Sequence, residues 1–120
     1  MPRTTLTKKT APGAYPSLPI SANALDLALT AADVANKNQF APSGNDLILV
    51  QNSGASPYTV TLSSAPDPQN RTGDIASYSL DAGEFAILGP VKTMGWVQAD
   101  GYVYLEANNA SVKFAIIALP

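Results

Sequence analysis

The chain has 120 residues, no Cys and no His, and 7 Lys+Arg against 9 Asp+Glu, giving a formal net charge of −2. That length predicts one domain, large enough to bury a core without disulfide or metal staples. The missing residue types exclude disulfides, thiolate and His-dependent metal sites, Cys nucleophiles and the Ser-His-Asp triad.

Residues 1–20 read as an extended Pro-rich basic arm, ahead of a β-sandwich domain over 21–120. Pro2, Pro12, Pro16 and Pro19, with Gly13, exclude a helix and a central strand there. Arg3, Lys8 and Lys9 give residues 1–10 a charge of +3, while 11–120 hold 4 bases and 9 acids, or −5. A basic lead on an acidic body suggests a segment that seeks an acidic surface. Its order is expected to depend on something outside its own core. The first 20 residues hold no apolar run like a signal peptide, and no stretch approaches the ~18 residues of a membrane span. The reading is therefore synthesis in the cytosol and no membrane partner.

From residue 24 onward the apolar period is two. Leu25, Leu27 and Leu29 alternate with polar or small residues, as in a half-buried strand. A short helix over 31–36 is possible, and 33–45 reads as a loop. Asp46–Asn52 reads as a strand buried on both faces or at its middle. The turn residues 53–57 and the alternating Tyr58–Ser63 complete an expected hairpin. Ile75–Leu80 alternates again, and Glu84–Leu88 reads as a strand ended by Gly89-Pro90. Met94–Gln98 reads as a strand around Trp96. Asp100-Gly101 is a turn, Tyr102–Glu106 a strand, and Val112–Leu119 closes the chain. About eight short strands at this spacing predict an antiparallel sandwich or barrel, and the unequal loops favour a compact Greek-key β-sandwich over an up-and-down barrel.

Candidate chemistry is sparse. Asp67, Asp74, Asp81, Glu84, Asp100 and Glu106 could supply a paired-carboxylate site, but they sit almost entirely in turns. Asp67, Asn70 and Asp74 form an oxygen-rich loop without the spacing of an EF-hand. Three N-terminal cations release few counterions, and the acidic body would repel a duplex. Tyr102 and Tyr104 share a strand face, as a stacking platform or a cross-strand ladder. Trp96 with these tyrosines could line a sugar-binding face, although a lone Trp in a small sandwich is more often core. The reading is thus no enzyme, no cofactor and no direct nucleic-acid partner. Charged residues are only 13%, about half the usual share of roughly 25%. That suits either a Ser/Thr/Asn-rich surface or a subunit packed against others.

Several stretches resemble a family. They are Leu29–Asp33 (LTAAD), Asn36–Phe40 (NKNQF), Leu47–Gly54 (LILVQNSG), Tyr58–Leu62 (YTVTL), Arg71–Asp74 (RTGD), Gly83-Glu84-Phe85, Leu88-Gly89-Pro90 and Gly95-Trp96. In this order they look like the decoration, or cement, proteins of tailed-bacteriophage capsids. The match covers about residues 29–119 and is mostly turn and strand grammar. The resemblance implies a jelly-roll-like sandwich on the outer capsid surface that stabilises the mature shell. It implies the major capsid protein as partner and a homo-oligomer, with a trimer favoured. Within that reading Arg3, Lys8, Lys9, Pro12 and Tyr15 of the arm would contact the capsid or a neighbouring subunit. Thr59 and Thr61, or strand edges, would form subunit contacts. The alternatives are a neck, tail or head-fibre module and a carbohydrate-binding adhesion module.

Overall fold

The computed structural model describes residues 3–11, 21–23, 26–66, 69 and 71–119. Among the described residues there are ten strands and no helix. They are β1 (Thr4–Thr5), β2 (Lys8–Thr10), β3 (Thr30–Ala31), β4 (Asn38–Phe40), β5 (Asp46–Asn52), β6 (Tyr58–Ser63), β7 (Ile75–Leu80), β8 (Phe85–Val91), β9 (Val103–Ala107) and β10 (Val112–Ala118). One sheet has the order β1-β4-β9-β6-β7 and the other β2-β10-β5-β8, with β3 also paired to β10. We call these sheets A and B. The pairings are antiparallel except β1 with β4 and β2 with β10, which are parallel.

Strict alternation drives the packing. In β5, Ile48 and Val50 are buried while Leu47 and Leu49 are half-buried. Val60 and Leu62 of β6, Val103 and Leu105 of β9, and Phe114 and Ile116 of β10 bury in the same way. These inner faces, with Phe40, Leu80, Leu88 and Val91, form one core between the sheets. Burying each such large side chain contributes about 1.5–3 kcal/mol. The result is an all-β sandwich.

The structure corrects several expectations. The connection from β5 to β6 is not a hairpin, because β5 lies in sheet B and β6 in sheet A. Asn52, fully buried, fixes this crossover. Its Nδ2 donates to Ser56 O at 2.7 Å and Leu80 O at 2.9 Å, and its Oδ1 accepts from Gly54 N at 2.9 Å. No strand runs over 26–29, and 31–36 is not a helix but ends in a turn over 34–36. The reason is competition for one edge. β5 occupies one side of β10 along its whole length, so β2 and β3 must share the other. β4 lies inside the stretch expected to be loop. Its Asn38 is fully buried, with Oδ1 accepting from Asp33 N at 2.9 Å. β8 continues through Gly89 and the cis Pro90 to Val91, with a bulge opposite Leu47. Gly89 takes φ +112, and a Cβ there would meet Asp46 O at 2.9 Å, so only glycine fits the bulge. Around Trp96 there is a turn and a single bridge, Val97 to Val103, rather than a strand.

Residues 3–11 are built into the sandwich. β1 adds to sheet A beside β4, and β2 adds to sheet B beside β10. Leu6, between them, is 5% exposed and belongs to the core. The segment therefore laces one rim of the sandwich shut. For these residues, pairing within the chain replaces the expected external support. Pro12 and Tyr15 lie outside the described residues.

Candidate interaction surfaces

The N-terminal cations are placed by strand parity. Ile116 faces the core, so its partner Lys8 also faces inward, and Lys9 beside Ile117 faces outward. Lys8 Nζ lies 3.9 Å from Oδ1 of the fully buried Asp46. Asp46 also accepts from Ser43 N at 2.8 Å and from the Ser43 hydroxyl. Arg3 lies over the Tyr104 ring at 4.0 Å and donates to Asn38 O at 3.1 Å. Its guanidinium is 3.9 Å from Glu106, which Lys37 also approaches at 3.4 Å. Thus Arg3 and Lys8 hold the segment to its own body. The Tyr104 hydroxyl donates to Asp100, which lowers the Asp100 pKa and raises that of Tyr104.

Asp33 locks β1 from the other side. It accepts from the Thr4 hydroxyl and from Asn36 N at 3.0 Å. These bonds, the Thr4 hydroxyl first, hold its carboxyl below the ordinary value. A depressed folded-state pKa adds stability above the unfolded value, and that stability is lost as pH falls through the folded one. Wild type should therefore melt above Asp33→Asn at neutral pH, and the gap should narrow as pH falls below the ordinary Asp value of about 3.9. A gap unchanged across that range contradicts the assignment.

The other acids are dispersed on local partners. Asp74 accepts from Ser64 N and Oγ, both at 2.7 Å, and those bonds lower its pKa. Glu84 Oε1 accepts from Asp81 N at 2.8 Å within the turn before β8. Asp67 and Asn70 lie outside the described residues. Among the described residues no three acids gather as a metal site. Trp96 is half-buried, packs on the core, and lines a shallow depression of about 230 Å³ with Ser64, Arg71 and Thr72. That is below the roughly 300–1,000 Å³ of typical ligand sites. Tyr104 is covered by Arg3, so it does not join Trp96 in one aromatic platform. Thr59 and Thr61 lie on the polar outer face of sheet A, where Thr61 Oγ1 accepts from Ser77 N at 3.0 Å.

The opposite rim is chemically different. β7 and β8 are the edge strands there, and neither carries a charged residue. Phe85 is 58% exposed, Ile87 65% and Tyr78 48%. Phe85 and Ile87 project outward from sheet B, in register with Gln51 and Leu49 of β5. Leu49 in turn is level with Ala115 of β10, and Leu47 with Ile117. The outer face of sheet B is thus apolar along β5 and β8, whereas Ala115 is 4% exposed beside Asp26, Leu27 and Ala28; Lys113 and Lys9 stand at the margin. Sequence reading did not single out Phe85 and Ile87. The run Glu84–Leu88 shows four consecutive apolar residues, and such a run does not say which alternate pair is buried. Comparison with protein families, curated proteins and solved structures gives no match.

Proposed function

We propose that the chain is a structural virion protein, a decoration subunit on the outside of a tailed-phage head. The observation that carries this reading is the nesting of the strands. Leaving aside β1 and β2, sheet B reads β3-β10-β5-β8 and sheet A reads β4-β9-β6-β7. Pairs β4·β9, β5·β8 and β6·β7 nest within one another, as do β3·β10 with β4·β9 in the facing sheet. That order supports reading the sandwich as an eight-stranded jelly roll, an architecture shared by viral capsid domains and lectins. Fold does not imply function. What separates the two uses here is the surface: the apolar, basic-fringed outer face of sheet B suits a broad protein contact, and Trp96 lies against the core.

In this reading sheet B faces the shell, and Leu47, Leu49, Phe85, Ile87 and Ile117 make the contact with the major capsid protein. Arg3 and Lys8 serve indirectly, because they keep the sandwich closed. The work is mechanical, bridging subunits of an expanded shell. Expected result: the purified chain co-sediments saturably with expanded, genome-free heads of the phage that encodes it. The bound copies should number in the hundreds per particle, and Leu49→Lys should weaken binding at least about tenfold. A dozen copies or fewer would favour a neck or tail module. Binding that Leu49→Lys leaves intact would contradict the assigned face.

A further inference from the structure

Among the described residues β8 pairs only with β5, and its other edge offers more than apolar side chains. Edge strands in soluble proteins are normally blunted by charge, bulges or covering segments. Three of the edges here are, and β8 is blunted only at its far end, by the Gly89-Pro90 bulge. β1 is flanked by Arg3, β2 carries Lys8 and Lys9, and β7 is bulged at Ser77, whose φ is +51. The stretch Phe85–Leu88 of β8 has neither charge nor bulge, and its register with β5 is unbroken.

The direction of its backbone groups follows from one bond. Asn52 N donates to Glu84 O at 3.0 Å, while the Glu84 amide is taken by Asp81 O within the turn; by strand alternation from that bond, Ala86 and Leu88 turn their amides toward β5. Phe85 and Ile87 therefore turn theirs to the open edge. An antiparallel partner must then set an odd residue against an odd residue. A second copy of the same strand does this about a two-fold axis at Ala86. Phe85 stands opposite Ile87 of the second copy, and Ile87 opposite its Phe85. About four backbone hydrogen bonds form, and both aromatic–β-branched pairs lie on the outer face.

We infer that β8 is a homotypic pairing edge, through which two copies of this chain join sheet B into one continuous sheet. The contact is self-complementary, as a two-fold interface requires. The five residues that pair about Ala86 are about 17 Å long, and the domain is 25 Å across its shortest axis. Such a rim offers on the order of 400 Å² per copy, about half the roughly 800 Å² of a standard stable interface. The dimer is therefore expected to dissociate in the micromolar range. A two-fold axis normal to the sheet leaves both outer faces on the same side. If sheet B faces a shell, as proposed above, pairing doubles that face and gives each dimer two linked contacts. The pairing itself needs no shell.

The absence of Cys makes the test direct. Ala86 meets its own copy at a non-hydrogen-bonded site, where Cα atoms stand about 4.5 Å apart, within disulfide range. Sedimentation equilibrium of wild type should show a monomer–dimer equilibrium. Ile87→Lys, at an exposed position, should stay folded by circular dichroism and weaken the dimer at least about tenfold. Under mild oxidation Ala86→Cys should cross-link much faster than Ala82→Cys, which sits in the exposed turn before β8. A wild type that stays monomeric throughout, an oligomer untouched by Ile87→Lys, or equal cross-linking of the two cysteine variants would each overturn the inference. A dimer that fails to bind heads would contradict the shell reading alone.

Discussion

Leu6→Ala is expected to destabilise the domain by about 2–5 kcal/mol, the usual cost of truncating a buried Leu. Leu6 is 5% exposed and sits where the chain passes from sheet A to sheet B. Its backbone is held by Gln39 O, which accepts from Leu6 N at 2.8 Å. The side chain fills the rim between β1 and β2, and neither strand is long enough to hold without it. Chemical denaturation of the variant checks this. A change below about 0.5 kcal/mol, the size of an ordinary surface substitution, would mean that the segment is not part of the core. The same geometry warns against a simple truncation experiment. Removing residues 1–12 would strip β1, β2 and Leu6, and would leave Asp46 buried without Lys8. Lost binding in such a variant would report a damaged fold rather than a lost contact.

The second large effect is expected at Asn52. It is fully buried and makes three hydrogen bonds, to Ser56 O, Leu80 O and Gly54 N. Leu80 belongs to β7 in the opposite sheet, so this one amide ties the two layers at the β5–β6 crossover. Asn52→Leu keeps the branched shape but strands the buried Leu80 carbonyl and releases the more exposed Ser56 carbonyl and Gly54 amide. An unsatisfied buried group costs about 1–3 kcal/mol, and the larger Leu adds strain, so the loss should be about 2 kcal/mol or more. Asn52→Asp should be at least as harmful, since a carboxylate would face two carbonyl oxygens. A thermal melt within a few degrees of wild type for either variant would show that the crossover is held elsewhere.

These two positions also show how far the sequence could be read. The strands with clean alternation were legible: Val60 and Leu62 in β6, Val103 and Leu105 in β9, and the long run of β10. Alternation sets a face, but not which sheet a strand joins. The connector 53–57 has turn chemistry that suits a hairpin or a crossover, and the choice rests on Asn52 reaching Leu80, 28 residues away. β4 was hidden because its buried Asn38 looks like loop material until Asp33 and Thr4 are brought beside it. β1 and β2 were hidden because Leu6 is the only large apolar residue between Arg3 and Thr10. Their partners, Asp33, Gln39, Asp46 and Glu106, are distant in the chain. The basic segment was visible as charge, but its internal ion pairs were not. The exposed rim was visible as an apolar run, but not as a surface.

Which face of the sandwich meets a partner decides what the domain can do. The most direct measurement is an electron cryo-microscopy reconstruction of expanded heads incubated with the chain. The account predicts density at many equivalent sites on the outer surface, with sheet B and its Phe85–Val91 strand toward the shell and the polar outer face of sheet A toward solvent. Density only at the neck or tail, or a domain seated on sheet A with Phe85 and Ile87 free, would contradict it.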